Sequence, residues 1–593
     1  MKIIISLALV LFFLSCKDSS KENSTTDTSK IAGATWWKEA VIYQLYPRSF
    51  QDTNGDGVGD LKGITQRLDY LQSLGINAIW LNPICASPND DNGYDISDYR
   101  AIMTEMGTME DFDEMLAGMK KRNIKLIMDL VINHSSDEHK WFTEAKKSRD
   151  NKFYNYYHWW PAEKGTPIRR YSLFDENADA WRYNKETNSY FLHYFSRKQP
   201  DLNWENPALR QEMYAIMKFW LDKGVAGFRL DAFPFMAKDT TWPDKGSSFT
   251  NEQFVRYYGA DEKVHDYLKE MNDEVLSKYK DVYTVGEGGV IPFSKVMDYV
   301  NKDRNELNTL YHDEIANVWG RNEYDKGDYV VGRNNVIGMK EIISKWDTKF
   351  LEKGWNTIYL TNHDQSRAVS RYGNDAPEFR NASAKMLYTF LLTQKATPYI
   401  YNGDEIGMSN IRFKSISDYN DLQTRNRYNL ELKKSQKAAD DYLKMQAELS
   451  RDNSRTPMQW NASNLAGFTS GKPWLPINDN KSTINVEASD KDENSILNFV
   501  RKMTKLRKEF KEILVYGKYE TQDSKNPDVF SYTRSNGKDT FLIVLNFTKE
   551  QCKTSIPEGF ILDKELINNL NSLQIVGNTI DLQPYQACVV QLK

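Results

Sequence analysis

From Trp36 onward, short apolar runs recur along the chain, each closed by polar residues or a turn former. "VIYQLYP", "INAIWLNP", "IKLIMDLVINH", "GVAGFRLDAF", "DVYTVGEGG", "NTIYLTNHD" and "ATPYIYNGDEIG" are continuous rather than alternating, the pattern of buried strands. Amphipathic stretches such as "LKGITQRLDYLQSLG" and "TMEDFDEMLAGMKKRN" lie between them. With a weaker strand in "NTLYHDEI" the pattern gives eight β–α units, which predicts an α/β fold of the (β/α)8 TIM-barrel type. The third and fourth strands are too far apart for one helix, so residues 136–206 form an inserted domain. That insert carries "FYNYYHWW", "YFLHYFS" and "QPDLNW", and a long βα loop belongs at the active face of such a barrel. After about residue 510 the pattern changes to "DVFSYTRS", "DTFLIVLNFT" and "TIDLQPYQACVVQL", a small antiparallel β-domain over 511–593. The barrel then occupies 34–135 and 207–510.

Composition narrows the function classes. A chain of 593 residues, 40% hydrophobic, buries a large core, and a net charge of -4 argues against a nucleic-acid partner. Four cysteines make no disulfide framework: Cys85 stands alone, and Cys552 and Cys588 are expected to be free thiols unless adjacent strands join them. At the N-terminus Lys2 precedes "IIISLALVLFFL", a signal-peptide core ending in "LSC". Such an ending resembles a bacterial lipoprotein signal. It implies cleavage of residues 1–15, acylation of Cys16 as a membrane anchor, and a polar tether over 16–33. An ordinary secretory signal with a chance cysteine is the alternative.

Two clusters carry candidate chemistry. In "DTNGDGVGD", Asp52, Asn54, Asp56 and Asp60, with the carbonyl of Val58, offer hard oxygen ligands. The loop is not an EF-hand, because the twelfth position is Gly63 and the preceding segment is a strand. It reads as a cation site in a strand-to-helix loop, or as a plain Asp/Gly turn. The second cluster gathers at the C-terminal ends of the strands: Asp129, His134, Asp231, Glu287, His363 and Asp364. Arg229 and Asp231 share one face of a strand, where a guanidinium favours an ionised carboxylate. Glu287 lies among Gly286, Gly288 and Gly289, which leaves room for a substrate. An ionised Asp facing a Glu that holds a proton is the arrangement of a retaining glycosidase. Tyr94 in "DDNGYD" offers an aromatic face to a sugar ring.

"DLVINH", "GFRLD", "VGE" and "TNHD" resemble the four signature regions of the α-amylase family of glycoside hydrolases, and "QPDLNW" resembles the fifth. "SPNDDNGYDISDY", "GWNTIYLTNHDQSRAVSRYG" and "RDNSRTPMQW" resemble its oligo-1,6-glucosidase and α-glucosidase branch. The resemblance implies Asp231 as nucleophile, Glu287 as general acid/base and Asp364 as the third carboxylate. It further implies that Asp91, Tyr94, Asp129, His134, Arg229, His363 and Arg455 line a terminal-glucose pocket, with Asp91 and Arg455 closing its far end. For the Asp52–Asp60 loop it implies one structural calcium or magnesium ion, and no organic cofactor.

The expected activity is therefore exo-acting hydrolysis of α-gluco-oligosaccharides at the cell envelope. Ala232, after the proposed nucleophile, favours α-1,4 bonds, since enzymes of this branch preferring α-1,6 bonds commonly carry Val there. Oligo-1,6-glucosidase is the alternative, as is a transferase or isomerase of the trehalose synthase or sucrose isomerase type. The isomerases' "RLDRD" loop is absent before "GWNTIYL". A non-catalytic ancillary protein of this fold lacks the three carboxylates, which are all present here.

Overall fold

The computed structural model describes residues 35–593, apart from 175–178, 244–256, 260–261, 319–323, 326–327, 330–334, 351–352 and 572. Eight parallel strands form its centre: β1 (Ile42–Leu45), β2 (Ala78–Leu81), β3 (Lys125–Val131), β4 (Gly227–Asp231), β5 (Tyr283–Glu287), β6 (Thr309–Tyr311), β7 (Thr357–Tyr359) and β8 (Thr397–Tyr401). Their order is β6-β5-β4-β3-β2-β1-β8-β7, so consecutive strands are neighbours around the ring. Between β6 and β7 the ring is completed by side chains. Thr357 Oγ1 donates to Leu310 O at 2.7 Å, and Tyr311 stacks on Tyr359 at 4.0 Å. Ile42, Ala78, Trp80, Ile127, Val285 and Tyr399 fill the interior, so the barrel is a packed core and not a pore.

Local signals place the helices. Thr108 and Asp111 form a reciprocal capping box that starts Met109–Lys121, and basic Lys120 and Lys121 end it. Asn206 caps Pro207–Lys223, which stops at Gly224 in the left-handed region (φ 107°). The single helix expected in "LKGITQRLDYLQSLG" is two, Leu61–Gln66 and Leu68–Ser73, broken at Arg67.

The insert after β3 builds a three-stranded antiparallel sheet from Trp159–Pro161, Trp181–Asn184 and Ser189–Leu192, the last in the middle. Buried Lys238, just beyond β4, fixes it to the barrel rim: its Nζ lies 3.2 Å from Asp201 of the insert and 2.9 Å from Asn133 Oδ1. A helical hairpin, Leu422–Lys434 and Gln436–Leu449, follows β8. The C-terminal part holds a five-stranded and a three-stranded antiparallel sheet. It meets the barrel through buried Arg534, whose Nη1 donates to the carbonyl of Thr393 at 2.7 Å. Cys85, Cys552 and Cys588 are free thiols. Cys16 and the signal segment lie outside the described residues; among those described, no helix is long and apolar enough to cross a membrane.

Candidate active site

Three adjacent strands deliver the central cluster. In the β3–β4 register Asp129 lies opposite Arg229 and Val131 opposite Asp231; in the β4–β5 register Val285 faces Arg229. Arg229 is consequently flanked by acids. Its Nη1 lies 2.9 Å from Asp129 Oδ1 and 2.6 Å from Asp231 Oδ1, and its Nη2 lies 3.0 Å from Glu287 Oε2. Glu287 Oε2 also accepts the backbone N–H of Ala232 at 2.9 Å. The opening reaches this cluster from the Glu287 side, whose side chain is 35% exposed against 11% for Asp231.

One guanidinium among three carboxylates leaves surplus negative charge. Burial pushes Asp231 well above the usual carboxylate range; Arg229 pulls it down, while Glu287 and Asp129 push it further up. Asp129 is raised for the same first reason, against Arg229 and a hydrogen bond from Tyr94. Arg229 does favour the ionised form of Asp231, as the shared strand face suggests, but burial and the two neighbouring carboxylates work against it. The guanidinium is divided three ways, among Asp129, Asp231 and Glu287.

Behind it, His363 and Asp364 follow β7. Gln44 Nε2 donates to His363 Nδ1 at 2.9 Å, which leaves the ring proton on Nε2, facing Tyr94 OH at 2.7 Å and Asp364 Oδ2 at 3.1 Å. Burial pushes His363 down to about 3, so the ring is neutral. Burial would raise Asp364, yet His363, Arg451 and Arg455 hold it well below the usual range. Arg451 Nη1 and Arg455 Nη2 both lie 3.0 Å from Asp364 Oδ1.

The far end of the pocket is a second polar group. Asp91 Oδ1 lies 3.5 Å from Arg451 Nη2, and Asp91 Oδ2 accepts from Gln199 Nε2 at 3.1 Å. Burial raises Asp91 to about 7 in spite of Arg451 and Arg455. His134, pushed down to about 3 by burial, is neutral and bonds the carbonyl of Tyr94 at 3.0 Å.

All ten catalytic and substrate-binding residues named from the sequence therefore lie in one connected network. Asp91 pairs with Arg451, while buried Arg455 donates Nε to His363 O at 2.7 Å and also acts on Asp91 through its charge. Tyr94 offers less to a sugar than its ring suggested. One face stacks on His363 at 5.3 Å, and its hydroxyl donates to Asp129 at 2.9 Å. The space at Gly286 is taken by the protein, since a Cβ there would stand 2.5 Å from Phe233 and 2.7 Å from Leu307. Sequence reasoning missed Arg451, Gln199 and Trp80, whose indole donates to Asp129 at 3.2 Å. Arg451 opens "RDNSRTPMQW", Gln199 opens "QPDLNW" and Trp80 lies in "INAIWLNP", which were the signals available.

The Asp52–Asp60 loop is folded by its own side chains. Asp52 accepts the backbone N–H groups of Asn54, Gly55 and Gly57 at 2.8–2.9 Å, and Asp60 accepts those of Thr53 and Gly63 at 2.7 Å. Asn54 Oδ1 accepts from Asp56 N, and Asp56 Oδ1 from Val58 N, each at 2.8 Å. Gly55 and Gly57 take φ 82° and 90°, which the tight loop requires. The donor set is all hard oxygen and fits calcium or magnesium. Among the described residues, however, no three His, Cys, Asp or Glu side chains stand grouped as a metal cage.

Comparison with known proteins fits this geometry. Residues 44–517 match the family described as "Alpha amylase, catalytic domain", and 529–589 match "Alpha-amylase SusG C-terminal domain". The chain is 45% identical to the oligo-1,6-glucosidases of Bacillus cereus and Parageobacillus thermoglucosidasius, covering 94% of this chain and 99% of each relative. Among solved structures it resembles the trehalulose synthase MutB from Pseudomonas mesoacidophila MX-45, with a TM-score of 0.89, 42% identity, and coverage of 95% of this chain and all of that one. The chain belongs to the α-amylase family of glycoside hydrolases.

Proposed function

We propose that this glycoside hydrolase is a retaining, exo-acting α-glucosidase that removes terminal 1,6-linked glucose from oligosaccharides. The observation that carries the mechanism is the sharing of Arg229 by Asp231 and Glu287. Sharing one guanidinium keeps the two carboxylates close together at the ends of neighbouring strands, as a double displacement needs, whose carboxyl groups stand about 5–5.5 Å apart against ~6.5–9.5 Å in an inverting enzyme. Asp231 attacks the anomeric carbon as the glycosidic bond breaks, and Glu287 delivers its proton to the departing oxygen. Glu287 then takes a proton from water, whose oxygen displaces Asp231 and restores the starting anomer. Glu287 Oε2 is held by Arg229 and Ala232 N, so Oε1 carries the transferred proton. Asp364, kept ionised by its two arginines, grips the sugar hydroxyls of the distorted ring, and Asp91 with Arg451 stops the pocket at a chain end.

The linkage is taken from the relatives named oligo-1,6-glucosidases, in place of the α-1,4 preference expected from Ala232 alone. That preference remains as a second reading, supported by the small side chain at Ala232. Initial rates on isomaltose, maltose, sucrose and trehalose in parallel test both. Highest kcat/KM on isomaltose with glucose released is expected; a preference for maltose would restore the α-1,4 reading. Conversion of sucrose to an isomer would make the enzyme a transferase instead.

We infer two further features from sequence pattern. The Asp52–Asp60 loop takes one calcium or magnesium ion on Asp52, Asn54, Asp56, Asp60 and the Val58 carbonyl, as a staple away from the chemistry. A lipid on Cys16 tethers the enzyme at a bacterial cell envelope, where oligosaccharides arrive from outside.

A further inference from the structure

Among the described residues Arg451 is the one side chain paired with both Asp91 and Asp364, and its placement is electrostatically awkward. Its Nη1 and Arg455 Nη2 converge on the same oxygen, Asp364 Oδ1, each at 3.0 Å. Two cations on one oxygen repel, so something behind Arg451 must hold it forward. That group is Asp421, whose Oδ1 lies 2.6 Å from Arg451 Nε. The guanidinium thus presents three nitrogens to three acids, Asp421, Asp364 and Asp91, while the ring of Phe174 lies 5.3 Å from it.

Asp421 is itself immobilised. It is 2% exposed and caps the helix Leu422–Lys434, its Oδ2 accepting Thr424 N at 2.9 Å and the Thr424 hydroxyl. Its backbone N–H donates to buried Asp452 Oδ2 at 2.8 Å. The positive end of the helix favours its charge. We propose that Asp421 is a positioning residue for the terminal-sugar pocket: it fixes Arg451, and through Arg451 the two carboxylates that bound the sugar. The helical hairpin after β8 is then the foundation of the pocket's closed end. The proposal rests on the glucosidase reading and deepens it.

Asp421→Asn separates positioning from folding, because Asn is an equally good helix cap but carries no charge for the guanidinium. With a nitrophenyl α-glucoside, kcat/KM is expected to fall about 10–100-fold, the effect of misplacing a binding group by about 1 Å. The Tm is expected to stay within a few degrees. In a cycle with Asp91→Asn, the two losses should not multiply: once Arg451 is loose, removing Asp91 adds less than about 3-fold. Losses that multiply, or an Asp421→Asn enzyme within about 3-fold of wild type, overturn the proposal. Should Asp421→Asn not fold, Asp421→Ser keeps a cap residue too short to reach Arg451 and is expected to show the same kinetics. If neither folds, Asp421 is structural and the proposal fails. A wild type inactive on every α-glucoside would instead defeat the glucosidase reading, and this inference with it.

Discussion

Asp91→Asn is expected to stabilise the protein at alkaline pH while impairing it as an enzyme. Asp91 is 6% exposed, and burial lifts its carboxyl from 3.8 to about 7, with Asp95 adding to the rise and Arg451, Arg455 and Gln199 opposing it. Between those two pH values the folded chain binds a proton that the unfolded chain has released. Stability therefore declines as pH rises from about 4 to about 7, and above 7 the full cost of the buried charge is present. At about 1.4 kcal/mol for each tenfold change, the cost is roughly 4 kcal/mol, an upper bound because water entry and relaxation soften it. Asn keeps the shape and removes the charge, so the variant is expected to gain up to ~4 kcal/mol at pH 8 and little at pH 4.5. For a folded unit of this length that corresponds to a Tm rise of about 3 °C. Arg451 is not stranded by the change, since Asp421 and Asp364 remain beside it. Calorimetric unfolding of both proteins from pH 4.5 to 8.5 measures the difference. A variant less stable than wild type at pH 8 would show that pairing with Arg451 outweighs burial, and would refute the reasoning.

Ala232 sits in the left-handed region (φ 46°, ψ 27°), where a β-branched residue is strained by about 1–3 kcal/mol. Ala232→Val should therefore lower the Tm and, by crowding the shorter α-1,4 linkage, raise the isomaltose-to-maltose kcat/KM ratio about 10-fold; unchanged Tm and ratio would count against both effects. Chelation, or Asp56→Ala, should lower the Tm and leave folded enzyme active, because an ion bound only by the native state stabilises it by mass action. Complete loss of activity at unchanged Tm would show instead that the ion takes part in the chemistry. Cys16→Ser should move the enzyme from the membrane fraction to the soluble one at unchanged specific activity, and continued membrane association would point to another anchor.

The barrel was legible because parallel strands buried on both faces leave continuous apolar runs, and the catalytic groups end those runs. "GFRLD" states both facts in five residues: an apolar strand, then Arg229 and Asp231 on one side of it. Contacts between distant segments were not legible in the same way. Nothing in "RDNSR" says which arginine faces Asp91, because Arg451 precedes and Arg455 ends one short helix, Asp452–Arg455. Their order is set by Asp421, thirty residues earlier at the start of a hairpin whose polar sequence gave no hint of the site. Gly286 misled for a related reason: the missing side chain marks close approach, and only the fold shows that Phe233 makes it rather than a substrate.

The central claim is that Asp231 and Glu287 act as a nucleophile and an acid/base pair in two successive displacements. Proton NMR of the first product formed from isomaltose, recorded before mutarotation, tests it most directly. The α-anomer of glucose is predicted from wild type, with no turnover by Asp231→Asn, because an amide cannot form the glycosyl ester. Release of the β-anomer first, or sustained turnover by Asp231→Asn, would contradict the account.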